Sequence, residues 1–424
     1  MKSRKLSSKT MIAVQALVVV AFCGAYTLGS RDTRQSFNST FLDQTFYPEV
    51  KIEREEPLRV SALYDDPSVV TDEELAAVLK QVRPKFPRKH LKPNHVEHAL
   101  RTWSIHSTFQ DPSVVSGTEM CDFLTDHGRF LASWGEEASP LLIDEPAGIS
   151  IRWGSQVGGS VHHDHWLASL TEAGIHRDAP VFAPSRRDMD VNDVIQQSLR
   201  DFRLDEREVE WSAMAFGLWI PPVKAWQTTD GRTVSFDQLT RRLIRGHKKY
   251  GVCVGTHRVY SLMLLIRLDD EFDILSDSAR ADAYTYLERV RDLISECQFE
   301  DGHWPANWME GKAALTSTEE IPEYKNVIAT GHHLEWLAIA PKELHPPHEQ
   351  IVKAAKWVIQ NTTSHTEEEI LQKYTFYSHV GNALALWRNT HAATFWKEWQ
   401  KTHPYVPEAT AEQDEAIEAP KPTL

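Results

Sequence analysis

From His95 almost to Lys401, apolar residues recur at helical spacing, with short polar breaks between the runs. The pattern predicts about a dozen helices. They fall roughly at 95–107, 117–133, 161–173, 191–203, 208–219, 235–249, 256–267, 279–298, 328–339, 347–361, 376–388 and 391–399. The odd-numbered runs are the more apolar, as GTHRVYSLMLLIRL shows against RADAYTYLERVRDLISECQ. That alternation suits an inner ring of helices inside an outer ring. The expected fold is therefore all-α, an (α/α)6 toroid of six helical hairpins. Ahead of it, Thr71-x-x-Glu74 reads as a capping box for a short helix that Pro84, Pro87 and Pro93 close.

Three breaks are longer than turns. Residues 140–160 contain Gly148-Ile149-Ser150-Ile151-Arg152-Trp153, which reads as a short strand. Residues 221–235 read as a hairpin, VKAWQ and RTVSF around Thr229-Asp230-Gly231. Residues 305–327 read as a long loop. Long insertions on one face of a toroid are where binding surfaces usually sit.

The N-terminus obeys a different pattern. Lys2, Arg4, Lys5 and Lys9 precede an apolar run from Met11 to Gly29. As a helix this run reaches about 30 Å, enough to cross a hydrocarbon core. It reads as a signal anchor or as a cleaved signal peptide. The positive flank stays in the cytoplasm, so the chain after Arg31 is expected outside it. The product is then either a single-pass membrane protein or, after cleavage, a secreted or periplasmic one. The expected division is 1–30 for this segment, 31–94 for a tether and short helix, 95–402 for the helical domain and 403–424 for a disordered tail. The tail is rich in Pro and Glu and has no apolar period.

A net charge of −14 argues against nucleic acid as a partner. The four cysteines, at 23, 121, 253 and 297, form no CxxC pair, so neither a zinc ribbon nor a disulfide framework is indicated. Fourteen Trp imply many helix–helix contacts. Trp153, Trp226, Trp304 and Trp308 could each serve as a sugar platform or as core.

Histidines carry the candidate chemistry. His95, His162, His257, His332 and His379 each have Leu five positions on and begin odd-numbered helices, three of them close after Gly159, Gly255 or Gly331. A helix N-terminus is electropositive, which favours neutral imidazole and suits a general base or a metal ligand. Either these residues converge on one cavity or each packs at its own helix start. The 208–219 run lacks the histidine. The candidate pocket comprises His162, His163, His165, His257, Arg258, His332, His333, Glu335 and His379. His-Glu-x-x-His is absent and His162 and His165 alone share a helical face in the densest cluster, so no metal site is expected and no cofactor is assigned. Asp269-Asp270-Glu271-Phe272-Asp273 spells a magnesium–diphosphate motif, or a solvated helix end.

Gln298, Asp301-Gly302 and Trp304 give Gln-x3-Gly-x-Trp, with Ile294 four positions before. This resembles the QW motif of the squalene cyclase and prenyltransferase repeat superfamily. The ending Gly-x-Trp-Pro is also similar, more weakly, to α/α-toroid pectate lyases. The resemblance implies a toroid and a structural role, tying a helix end to the next turn. It does not extend to catalytic parts. Asp188-Met189-Asp190-Val191 departs from Asp-x-Asp-Asp at its last position, and Asp-x-Cys is absent. Arg152 and Arg258 are available as a lyase base, with no motif to fix them. The leading expectation is a membrane-tethered ligand- or partner-binding protein without a catalytic motif. The alternatives are a polysaccharide lyase or hydrolase at the cell envelope and a terpenoid- or prenyl-processing enzyme. Partners are the membrane and an unidentified glycan, small molecule or protein.

Overall fold

The computed structural model describes residues 8–29, 34, 37, 47–246 and 252–407. The chain is predominantly helical. In order the helices are α1 (Ser8–Leu28), α2 (Asp72–Gln81), α3 (Pro93–Trp103), α4 (Gly117–Thr125), α5 (His127–Trp134), α6 (His165–Glu172), α7 (Val191–Asp201) and α8 (Glu210–Trp219). They continue with α9 (Phe236–Ile244), α10 (Thr256–Phe272), α11 (Asp277–Cys297), α12 (Glu323–Ile339), α13 (His348–Ser364), α14 (Glu367–Gln372), α15 (Tyr374–Trp387) and α16 (Ala392–Thr402). Short polar side chains set many of the starts. Thr71, Ser116, Asp190, Ser235 and Thr366 each close a capping box with the residue three positions on.

Two expected runs break for local reasons. The 117–133 run is two helices, because Asp126 is extended and caps the second by accepting from Gly128 N at 2.7 Å. The 161–173 run is helical only from His165, because Asp164 adopts a left-handed conformation with φ 55°. The 305–327 loop holds a 3-10 stretch at Trp308–Thr316, and α12 begins at Glu323. Antiparallel pairs join β1 (Leu142–Glu145) to β2 (Gly148–Ile151), β3 (Pro180–Val181) to β4 (Met189–Asp190), and β5 (Ala225–Gln227) to β6 (Thr233–Ser235).

Burial divides the helices into two kinds. In α8 every residue is buried, and in α12 everything from Val327 to Ile339 is. In α11 only Ala279, Ala283, Leu287, Val290, Ile294 and Cys297 are buried, one stripe at helical spacing. The fully packed helices touch one another in sequence: α3 meets α6, α6 meets α8, α8 meets α10, α10 meets α12, α12 meets α15, and α15 meets α3. The amphipathic ones lie against them, α11 on α10, α13 on α12 and α7 on α8.

Helix α1 is long and apolar enough to span a membrane or to act as a signal, and among the described residues none of its apolar window is buried. Residues 47–70, expected to be a tether, are extended but strapped to the helices. Leu58 N donates to Leu218 O at 2.9 Å and Leu63 N to Ala338 O at 3.0 Å. Gln196 pairs with both backbone groups of Val50 at 2.9 and 2.7 Å. The expected disordered tail lies outside the described residues from position 408 on.

The Gln298–Trp304 stretch joins three helices. Gln298 Nε2 donates to Gly302 O at 2.8 Å and to Gln350 O, on α13, at 2.7 Å. Gly302 has φ 107°, and a Cβ there would sit 2.5 Å from Lys353 O. Trp304 is fully buried and donates through Nε1 to Ile294 O on α11 at 3.0 Å. Its backbone N–H donates to Thr330 Oγ1 on α12, also at 3.0 Å. Gln298→Ala removes two donors from backbone carbonyls and is expected to cost about 1–2 kcal/mol. A thermal melt checks this: a Tm lower by a few degrees is expected, and an unchanged Tm would mean that water replaces the amide.

Candidate functional site

Each of the six fully packed helices presents one ring to a common centre: His98 from α3, His165 from α6, Trp211 from α8, His257 from α10, His332 from α12 and His379 from α15. Successive ring centroids are 4.6 Å apart for His98–His165, 4.1 Å for His165–Trp211 and 4.1 Å for Trp211–His257. They are 4.2 Å apart for His257–His332, 3.8 Å for His332–His379 and 5.1 Å for His379–His98. The circuit closes, and none of the six residues is more than 4% exposed.

A second layer of charged groups supports this circle. Arg101 binds the Glu172 carboxylate through Nε and Nη2 and lies 3.7 Å from Glu335 Oε1. Its Nη1 is 3.1 Å from His379 Nδ1. Glu335 accepts from Asn382 Nδ2 at 2.7 Å and is hydrogen-bonded to His332 Nδ1. Tyr260 donates to Glu172 at 2.9 Å. The His165 Nδ1 lies 2.6 Å from the Glu97 carboxylate, but out of line for a hydrogen bond.

Burial keeps the imidazoles neutral. It pushes His98 and His257 well below the ordinary histidine range, with neighbouring imidazoles adding to the effect. It lowers His379 to about 3, and lowers His165 and His332 although Glu97 and Glu335 oppose the shift. Burial alone would raise the Glu335 carboxyl, but Arg101 first, and the hydrogen bond from His332, hold it well below the usual carboxylate range. Each neutral ring carries one N–H and one lone pair, and several of these stay unmet among the described residues. His257 Nδ1 and Nε2, His332 Nε2 and His379 Nε2 are buried there without a hydrogen-bond partner; with Nδ1 accepting from Arg101, the His379 proton sits on Nε2.

Cys253 completes the group. One ligand atom each from Cys253, His257, His332 and His379 lie within 4.8 Å of one another. The thiol is carried by an unusual backbone: Cys253, Val254 and Gly255 have φ 50°, 54° and 82° in succession. A left-handed β-branched residue costs on the order of 1–3 kcal/mol. Trp308 fixes this turn by donating from Nε1 to Val254 O at 3.1 Å. Burial raises the Cys253 thiol far above its ordinary value, so it is protonated unless a cation meets it.

The sequence-derived candidates separate accordingly. His165, His257, His332 and His379 belong to the circle, and Glu335 supports it. His95 does not: it packs between Phe86 and Tyr374. His162 is half-buried against Glu208 at 2.6 Å. His163 pairs with Asp164 and Glu206, each at 3.2 Å, beside a surface cleft. His333 is boxed edge-on by Trp304 and Trp308, at 5.6 and 4.8 Å, and accepts from Trp336 Nε1 at 3.0 Å. Arg258 lies 3.6 Å from Glu210. In the acidic run Asp269 and Asp270 bind Arg280 at 2.7 and 2.6 Å, and Asp273 binds Lys224 at 2.7 Å. Those carboxylates are neutralised by the protein's own cations. Trp226, Trp304 and Trp308 are core, whereas Trp153 is 53% exposed.

Sequence reasoning missed His98, Trp211 and Cys253, and its expectation of no metal site stands against this ligand set. One signal for His98 was present. Glu97, His98 and Arg101 place three ionisable residues among Val96, Ala99, Leu100 and Trp103 in one short helix. Comparison with protein-family models, with curated proteins and with solved structures finds no match to this chain.

Proposed function

We propose that this protein is an (α/α)6 toroid, anchored outside the cytoplasm by α1, that holds one transition-metal ion at its centre through Cys253, His257, His332 and His379. The toroid reading is supported by the cyclic order of packing among α3, α6, α8, α10, α12 and α15 and by the circle of one ring from each. The QW-like stretch, bonded between helix ends, fits the squalene cyclase and prenyltransferase repeat resemblance. The apolar length of α1 and the basic residues before it support the anchor.

The observation that carries the metal is the set of fully buried imidazole nitrogens without a hydrogen-bond partner among the described residues. Each buried polar atom left unmet costs about 1–3 kcal/mol, and an ion answers one lone pair from each ring at once; for His379 to offer Nε2, its proton must move to Nδ1 and give up the bond from Arg101. Glu335 on His332 Nδ1 keeps a proton there and leaves Nε2 as the lone pair, the carboxylate–histidine–metal arrangement. Three imidazoles and a thiolate suit zinc or copper rather than magnesium or calcium. A tetrahedral zinc ion needs ligand atoms roughly 3.5 Å apart, so the four atoms must draw in by about 1 Å. The ion would take the thiol proton, making affinity rise with pH. Four protein ligands leave no open coordination position, which favours binding or structural support over metal-assisted hydrolysis.

The test is chelation of the full-length protein in detergent, then titration with Co²⁺ and Zn²⁺. One ion per chain is expected, with the visible bands of a tetrahedral cobalt site and a thiolate charge-transfer band that Cys253→Ser abolishes. Glu335→Gln should weaken binding about 10–100-fold while the ligands remain. Sub-stoichiometric metal, or unchanged binding in His332→Ala, would overturn the proposal.

A further inference from the structure

We infer that the cleft between the β1–β2 hairpin, the 152–164 loop and α7 is a carbohydrate site, taking neutral or amino sugars stacked on Trp153. It lies outside the histidine circle and is independent of the metal. The cleft has a volume of about 340 Å³ and is lined by Trp153, His163, Asp164, Asp201, Glu145 and Arg152 among others. That is room for one or two sugar rings, at the small end of ligand pockets.

The exposure of Trp153 is built rather than incidental. Arg152 beside it braces the loop, donating to Pro140 O at 2.6 Å and Ser139 O at 2.8 Å ahead of β1, to Gly158 O at 2.7 Å and to the Gln156 side chain at 3.5 Å. A bridge from Trp153 to Ser160 closes the loop, and the His163 ring stands edge-on to the indole at 5.3 Å. One indole face is thus presented to solvent on a braced loop. Ile143, 39% exposed, adds a second apolar side chain to the lining of the cleft. Exposed apolar surface set in a cleft marks a binding site. An aromatic plane beside carboxylates is the combination a sugar needs, with C–H groups over the ring and hydroxyls on acceptors.

The polar floor is equally fixed. Asp164, in its left-handed conformation, is gripped by Ser198 and Ser212 and ion-pairs with His163 at 3.2 Å. Asp201 accepts from Gln197 at 2.7 Å, and Glu145 accepts from Ser150 at 2.7 Å, so each keeps a further oxygen lone pair for a ligand. Burial pushes the Glu206 carboxyl behind His163 up to about 7, and burial and the charge of Glu145 raise Asp201. Glu145, Asp164 and Asp201 set three carboxylates against two cations, His163 and Arg152, and the Arg152 guanidinium is held by the backbone at 139–140 and 158. The cleft therefore repels uronates and favours neutral rings or an ammonium-bearing sugar.

Calorimetric titration of the full-length protein with oligosaccharides of glucose, N-acetylglucosamine, glucosamine and galacturonate tests the assignment. Binding of at least one neutral or amino oligosaccharide is expected, and none of galacturonate. Trp153→Ala, at an exposed position, should keep the fold by near-UV dichroism and weaken binding at least about tenfold. Asp201→Asn should weaken glucosamine oligomers more than neutral ones. Failure of every neutral and amino oligosaccharide, equal binding by Trp153→Ala, or a preference for galacturonate would each overturn it. The metal titration above is unaffected by these outcomes.

Discussion

In chelator-treated protein, lowering the pH from neutrality is expected to unfold the chain cooperatively, with a midpoint of about pH 5. The groups responsible are buried imidazoles. His333 is lowered to about 3, and His95 and His391 to about 4, burial being the first cause in each. His98 lies well below its ordinary value. In the unfolded chain all four titrate near the ordinary 6.5. Their folded values are depressed, so the unfolded state binds more protons below that pH. The stability they confer is complete above 6.5 and is lost as pH falls towards 4. Each contributes up to about 1.4 kcal/mol per pH unit within its window. Glu206 has the opposite sign, since its folded value of about 7 makes the native state the one that binds a proton. The net of roughly three protons gives about 4 kcal/mol per pH unit, against a typical reserve of about 5–15 kcal/mol. In this metal-free protein His257 and His379 add two more protons, which steepens the slope to about 7 kcal/mol per pH unit. Urea denaturation at a series of pH values measures it. A stability that stays flat between pH 6.5 and 4.5 would mean that the imidazoles are already solvated in the native state.

The helical class, and its two kinds of helix, were legible because burial leaves two different signatures. Helices packed all round, such as α10 and α12, read as nearly continuous apolar runs, while α11 shows one stripe. The circle was only partly legible: His165, His257, His332 and His379 were named, His98 and Trp211 were not. His95 and His162 were favoured because Leu follows five positions on, yet the rings in the circle are His98, which was missed, and His165, which was named beside His162, each three residues later. On α3 the helix enters at Pro93, so His95 lies in the first turn and His98 one turn deeper. After His162 the left-handed Asp164 delays the helix to His165. The level of a residue along the helix axis depends on how neighbouring helices are staggered, and local spacing does not encode it. Trp211 was invisible for a related reason: the ring it completes is aromatic, not histidine alone. Cys253 lies four residues before His257, but its left-handed backbone breaks any helical pairing. The ligand set draws on α10, α12, α15 and that turn, so no short motif could display it.

Arg101→Met is expected to be among the most destabilising single substitutions in this fold, at roughly 3–5 kcal/mol and a Tm lower by on the order of 10 °C. Arg101 is a buried cation shared between two carboxylates, Glu172 and Glu335, and it also lies over the rings of Trp211 and Tyr260 at 5.8 and 5.5 Å. Burial by itself disfavours the Glu335 carboxylate, and Arg101 is the foremost of the charges that keep it ionised. Methionine fills the same channel with apolar atoms and leaves that carboxylate without its main counter-charge. Glu335 would then take up a proton, and a protonated carboxyl no longer serves as the acceptor that holds the tautomer of His332. Metal affinity should fall along with stability, although Arg101 is not a ligand. The double variant Arg101→Met, Glu335→Leu removes both members of the pair. Its cost should be smaller than the sum of the single costs by about 1–3 kcal/mol, because no stranded charge remains on that side. Additive costs would mean that Glu172 alone holds the arginine and that Glu335 is solvated. A cost below about 1 kcal/mol for Arg101→Met would place the whole network in water, where exposed ion pairs contribute little.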